Sequence, residues 1–167
     1  MIELKRRNNN SVWVTGLYND VSGAFVNDRT PEMTLCYNSD GFRGTITGIT
    51  SASPPVVTSA AHGLSNGDKV VLRAVIGIPE AWGVFTVANV TTNTFELSGE
   101  TFTGTFEDTS ASDDKPTWFL AVPDFVSEAM TYNADSNGDY YVVVPGTLEL
   151  RVRQQYKSWI TDPDHAG

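Results

Sequence analysis

Short runs rich in Val, Thr, Tyr, Phe and Trp alternate along the chain with clusters of Gly, Asn, Asp and Pro, the pattern of strands separated by turns. No stretch holds a 3.6-residue apolar period for three turns, and the best helix candidate, Val122 to Met130, contains Pro123. The pattern therefore predicts an all-β protein. Ser11 to Leu17 reads as a first strand ending in the turn Tyr18-Asn19-Asp20, and Gly23 to Val26 as a short second one. Beyond Pro31, residues Met33, Leu35 and Tyr37 alternate with Thr34 and Cys36, the period of two that marks a half-buried strand. Asn38-Ser39-Asp40-Gly41 then stops it with a strong turn signal.

The character changes after Gly44. From Thr45 to Ser112 the chain is rich in Thr, Val and Ser, with only Lys69 and Arg73 as cations. Strands are predicted at Ile46–Ser51, Val56–Ser59, Lys69–Val75, Val84–Val90 and Thr94–Leu97, with Thr101–Phe106 as a further candidate. Val84 to Leu97 reads as a hairpin turning near Thr91-Thr92-Asn93. So many short strands in so little chain favour a small closed barrel, because closure removes exposed edges. Glu107 to Lys115, polar and acidic, reads as an exit linker. Strand signals resume at Trp118–Val122, Glu128–Tyr132 and Tyr140–Val144, and Leu148, Leu150 and Val152 alternate with Glu149, Arg151 and Arg153. Thr161 to Gly167 reads as a frayed tail. The expected organisation is a β-sandwich host formed by residues 1–44 and 114–167, with a small β-barrel, 45–113, inserted at the Asn38–Gly44 turn.

Charge narrows the function classes. The formal net charge is −9, which argues against general nucleic-acid binding, since that rests on neutralising phosphates. Yet six of the eleven basic residues sit near the two ends: Lys5, Arg6, Arg7, Arg151, Arg153 and Lys157. They are either solvated strand ends or, if the first and last strands are neighbours, a docking patch for an acidic partner. A single cysteine, Cys36, excludes an internal disulfide and any multi-cysteine metal site, and its strand offers no basic neighbour to activate it. No run of about 18 apolar residues is present to span a membrane. The polar, basic start, Met1 to Asn10, does not read as a secretion signal.

Candidate chemistry is sparse. His62, between Ala61 and Gly63, is expected to cap backbone groups in the turn leading to Gly67-Asp68. Asp135-Ser136-Asn137-Gly138-Asp139 has the oxygen density of a calcium loop but lacks the sixth-position Gly and the closing Glu, which here is Gly146. A tight hairpin turn is the preferred reading. Trp82, in Pro79-Glu80-Ala81-Trp82-Gly83, is either an exposed contact or a lid over the barrel end, whereas Trp13 and Trp118 read as host core. No serine-nucleophile motif or phosphate loop is found, and no cofactor or metal is expected.

Two stretches resemble known families. Ile46-Thr47-Gly48-Ile49-Thr50, Ala61-His62-Gly63-Leu64-Ser65-Asn66-Gly67-Asp68, Phe85-Thr86-Val87 and Asn93-Thr94-Phe95-Glu96-Leu97 together resemble a small β-barrel module that recurs in tailed-phage structural proteins. The module is similar to the first catalytic-cysteine half-domain of ubiquitin-activating enzymes, although the stretch here contains no cysteine. The host resembles an immunoglobulin-like phage protein at Val12-Trp13-Val14-Thr15-Gly16-Leu17, at Gly23–Asp28, and from Met130-Thr131-Tyr132 through Ser136–Tyr140. The resemblances imply a non-enzymatic virion subunit of a tailed phage, in the head, neck or tail, assembled in the bacterial cytoplasm. Its implied partners are copies of itself and portal, capsid, neck or tail proteins. The contact residues expected are Arg6, Arg7, Arg151, Arg153 and Trp82. A carbohydrate-binding, host-attachment module is the alternative, and would present Trp82 and Tyr18 as a flat aromatic patch.

Overall fold

The computed structural model describes residues 10–19, 24–25, 27, 29–109, 114–150 and 154–161. The protein is all-β and sandwich-like: antiparallel sheets carry the fold, and among the described residues the one helical element is a single 3-10 turn at Pro79–Ala81. In chain order the strands are β1 (Asn10–Val14), β2 (Tyr18–Asn19), β3 (Ala24–Phe25), β4 (Glu32–Tyr37), β5 (Arg43–Thr45), β6 (Gly48–Ile49), β7 (Val56–Thr58) and β8 (Lys69–Arg73). They continue as β9 (Gly83–Ala88), β10 (Thr94–Leu97), β11 (Thr117–Leu120), β12 (Glu128–Ala129), β13 (Thr131–Tyr132), β14 (Tyr140–Val144) and β15 (Tyr156–Thr161).

The largest sheet has the order β5-β11-β8-β9-β10-β7-β6, and its two end strands are halves of one continuous stretch. Arg43 to Thr45 pairs with β11, and the Ile46 N–H extends that ladder to the Pro116 carbonyl at 2.8 Å. One residue later the chain changes neighbour. The Thr47 N–H donates to the Thr58 carbonyl at 3.0 Å, Gly48 and Ile49 pair with β7, and the Thr50 N–H donates to the Val56 carbonyl. The stretch 43–50 thus forms the seam of a closed barrel. Closure satisfies both edges at once, as expected for many short strands with no helix to cover them. Alternate residues of every barrel strand point inward, among them Ile46, Val57, Leu72, Phe85, Phe95, Leu97 and Trp118, and they form one continuous core.

This ladder corrects the expected domain boundaries. Thr117–Leu120 was expected in the host, but it pairs with β5 on one side and β8 on the other, inside the barrel. Trp118 is accordingly core of the barrel, not of the host. The compact units are Leu35–Val126 with Gln154–Trp159, and Met1–Thr34 with Ser127–Arg153 and Ile160–Gly167. The barrel unit also carries a second layer. The end of β4 and the start of β15 lie over the outward face, where Cys36, Val71, Phe119 and Ala121 are buried together beside Val84, Val126 and Trp159. That cover buries Cys36 as well as Leu35 and Tyr37, so this end of β4 is buried on both faces, not on one as its alternation suggested.

The other unit is built on the sheet β1-β14-β13, with Val12 opposite Val142 and both buried. This register turns Trp13 outward. It is 48% exposed and packs on Tyr141, its cross-strand partner, with ring centroids 5.0 Å apart. β13 and β14 form the expected hairpin, but its loop runs from Asn133 to Asp139 and is not a two-residue turn. Gly138 there has φ +74°, and a Cβ on it would meet the Leu17 carbonyl oxygen at 2.4 Å, so only glycine fits. Two further expectations change. Thr101–Phe106 is not a strand, although Phe102 is buried in the barrel core, and Leu148–Leu150 is irregular while Tyr156–Thr161 supplies a strand.

Candidate functional site

The seam strand and its neighbours fix what the barrel presents outward. Trp118 and Leu72 point in, so the residues flanking them in the ladder point out. One outward row crosses four strands as Arg43, Phe119, Val71 and Val84, and the next runs Thr45, Thr117 and Arg73. Lys115 lies just ahead of β11, and Lys157 of β15 sets its ammonium 5.1 Å from the centre of the Phe119 ring. Four cations (Arg43, Arg73, Lys115 and Lys157) thereby line a cleft of about 430 Å³. Its carboxylates are Asp40, 3.5 Å from Arg43, and Asp114, 3.4 Å from Arg73. Both pairs are exposed, where an ion pair contributes roughly 0–1 kcal/mol.

A second hollow of about 250 Å³ adjoins the cleft and shares Arg73, Phe119 and Lys157 with it. It is mostly apolar, floored by Cys36 and Val71 and walled by Trp159. Trp159 in turn faces Trp82, with ring centroids 6.3 Å apart and planes inclined at 31°. Trp82 is 57% exposed, so it forms no lid over the barrel end. The 3-10 turn preceding it is tied down by Glu80, whose Oε1 accepts from the Thr103 hydroxyl at 2.6 Å. That hydrogen bond holds the Glu80 carboxyl below the usual carboxylate range. Burial pushes the Cys36 thiol up to about 12, which leaves it without thiolate character near neutral pH.

The other sequence candidates are engaged in maintaining the fold. His62 is buried; its Nδ1 accepts from the Leu64 N–H at 3.1 Å and its Nε2 lies 3.2 Å from the Thr94 carbonyl oxygen. Those partners set the ring as the Nε2–H tautomer, with both nitrogens taken by backbone, the capping role expected for it. Asp68 accepts from the Ser65 N–H at 2.8 Å and closes the turn at Gly67, φ +92°. In the β13–β14 loop, Asp139 accepts from the Gly16 N–H at 2.9 Å, and the Asp139 N–H donates to Ser136 Oγ. Among the described residues no group of three or more His, Cys, Asp or Glu side chains is placed to hold a metal ion.

Of the expected contact residues, Trp82 is placed at this surface, whereas Arg6, Arg7, Arg151 and Arg153 lie outside the described residues. Lys157, the remaining cation of the C-terminal group, belongs to the cleft. Arg43, Arg73 and Lys115 were not anticipated as a group. They are about 30 to 40 residues apart along the chain, and the antiparallel register alone brings them together. No known protein family matches the chain, and no curated protein matches it either.

Proposed function

We propose that this chain is a non-enzymatic structural subunit of a tailed-phage virion, in its head, neck or tail, acting through protein–protein contacts. The observation that carries the proposal is the outward barrel face, where four cations lie beside the exposed Trp82 and the partly buried Trp159 on a chain of net charge −9. Aromatic and arginine side chains clustered at a surface are what protein interfaces favour. The resemblance of residues 45–105 to a barrel module of phage structural proteins supports the same reading, and supplies its viral part. In such a subunit the barrel bears the contact face and the strands behind it hold that face rigid.

The test is light scattering of the purified protein, alone and mixed with the portal, capsid, neck and tail proteins of its particle. A ring-sized oligomer or a stoichiometric complex is the expected result. A protein that stays monomeric and ignores every one of these partners overturns the proposal. The exposed Trp82 also favours a second reading, a glycan platform used for host attachment, because an exposed indole can stack on a sugar ring. Weak glycan binding abolished by Trp82→Ala would select that reading.

A further inference from the structure

We infer that the cleft between Arg43, Arg73, Lys115 and Lys157 binds an acidic segment of a partner protein, one that places an apolar side chain in the adjoining hollow over Cys36. The inference rests on the assembly reading above and names the chemistry of its contact face. Charge complementarity comes first. The cleft gathers four of the chain's eleven cations around two carboxylates, whereas the chain as a whole carries twenty carboxylates. A locally positive cleft on a negative protein selects anionic partners by attraction at short range and disfavours wrong orientations at long range.

The ligand is more than a simple anion. About 430 Å³ falls within the roughly 300–1,000 Å³ typical of ligand pockets, far larger than an inorganic phosphate needs. The shared wall of Arg73, Phe119 and Lys157 also joins the charged cleft to a hollow whose lining is mostly apolar. An occupant that fills both carries carboxylates beside a hydrophobic or aromatic group, which an acidic peptide does. Nucleic acid is disfavoured because a long phosphate backbone would run on beyond the four cations of the cleft over a protein of net charge −9.

Asp40 and Asp114 also suggest how the site is kept in the free protein. Each lies 3.5 and 3.4 Å from one arginine, a looser contact than the roughly 2.7–2.9 Å charge-assisted bonds an incoming carboxylate can make. Because both pairs are exposed and weak, a partner's carboxylates can displace them at little cost.

The experiment uses fluorescence anisotropy with three labelled probes: the peptide Glu-Asp-Glu-Phe-Glu-Asp-Glu, the same peptide with Ala for Phe, and a twelve-nucleotide oligothymidylate. The Phe peptide is expected to bind in a salt-sensitive manner. Its affinity should fall about tenfold or more in Arg73→Glu and in Lys157→Glu, and fall several-fold when Phe becomes Ala. Asp114→Asn removes a competing carboxylate and should tighten binding. Lys69→Glu, on the same strand as Arg73 but outside the cleft, makes the same change in net charge and should alter affinity less than twofold. The inference is overturned if the oligonucleotide binds as tightly as the Phe peptide, if Lys69→Glu weakens binding as much as Arg73→Glu, or if the Phe peptide fails to bind at millimolar concentration. Circular dichroism confirms that each variant is folded, and Lys115→Glu replaces any that is not. Light scattering with the particle proteins separates the two levels. Arg73→Glu that still assembles sinks the cleft alone, while wild type that never assembles sinks the reading beneath it.

Discussion

Gly44→Ala tests whether the barrel interior is as tightly determined as its seam implies. An alanine Cβ at this position would lie 2.7 Å from Nε1, 2.8 Å from Cε2 and 2.9 Å from Cζ2 of Trp118, its cross-strand partner. Two effects compete. Replacing glycine within a strand recovers roughly 0.5–1 kcal/mol of backbone entropy and would by itself stabilise the protein. Overpacking a fixed core costs about 1–3 kcal/mol. The indole has little room to retreat, because Nε1 donates to the buried Ser59 hydroxyl at 2.8 Å and Phe95 meets it edge-on. The clash should therefore prevail, leaving Gly44→Ala destabilised by about 1–2 kcal/mol after the entropic gain is subtracted. Trp118→Leu removes the clashing atoms and leaves Ser59 without its donor, and should itself cost about 3–5 kcal/mol. The double variant should be more stable than the sum of the two singles predicts, by about 1–2 kcal/mol of coupling. Urea unfolding followed by far-ultraviolet circular dichroism measures all four proteins. A Gly44→Ala variant at or above wild-type stability, or strict additivity in the cycle, would refute the reasoning.

Three further outcomes follow from the geometry. Cys36 should resist a thiol reagent at pH 8 in the native protein and react fully once urea unfolds it. Its raised pKa stabilises the folded state below about pH 9, and that stability should be lost between there and pH 12, with a slope of up to about 1.4 kcal/mol per pH unit for this group. His62→Ala leaves the Leu64 N–H without its ring acceptor and the Thr94 carbonyl with the Thr91 N–H but no ring donor, and should cost about 1–3 kcal/mol in thermal or urea unfolding. Glu80 has a lowered pKa, so its contribution is present above the usual glutamate range and is lost on acidification. Glu80→Ala should therefore be less stable than wild type at pH 7 and converge with it toward pH 3, as differential scanning calorimetry would show.

The sequence made some of this legible and concealed the rest for physical reasons. The hairpin Gly83–Leu97 could be read because both of its strands alternate strictly and the Thr91 N–H closes the turn onto the Thr94 carbonyl. The turn-capping role of His62 was legible because Leu64 lies in its own turn, whereas its contact with Thr94, 32 residues on, was not. Pairing partners were not legible. Nothing local to Thr117–Leu120 distinguishes a host strand from a barrel strand, since that choice is made by hydrogen bonds to residues more than forty positions away. Trp13 was misplaced by one residue of phase, which is enough to exchange faces in a strand. The cleft was hidden for the same reason as the barrel. The search for charge followed runs along the chain, whereas Arg43, Arg73, Lys115 and Lys157 become neighbours only across it.

The seam has a bearing on how the protein is made. A ribosome delivers the chain from its N-terminus at roughly 5–20 residues per second, so Thr45 waits roughly 4–14 seconds for its partner Thr117 to be synthesised. In that interval strands β6 to β10 can pair with one another, since their ladders are complete by Leu97, but the face of β8 that awaits β11 stays open. An open, Val-rich edge held for seconds is an invitation to neighbouring nascent chains. Every further copy translated from one message would meet that hazard again, and slowing the ribosome between residues 97 and 120 should raise the fraction that aggregates.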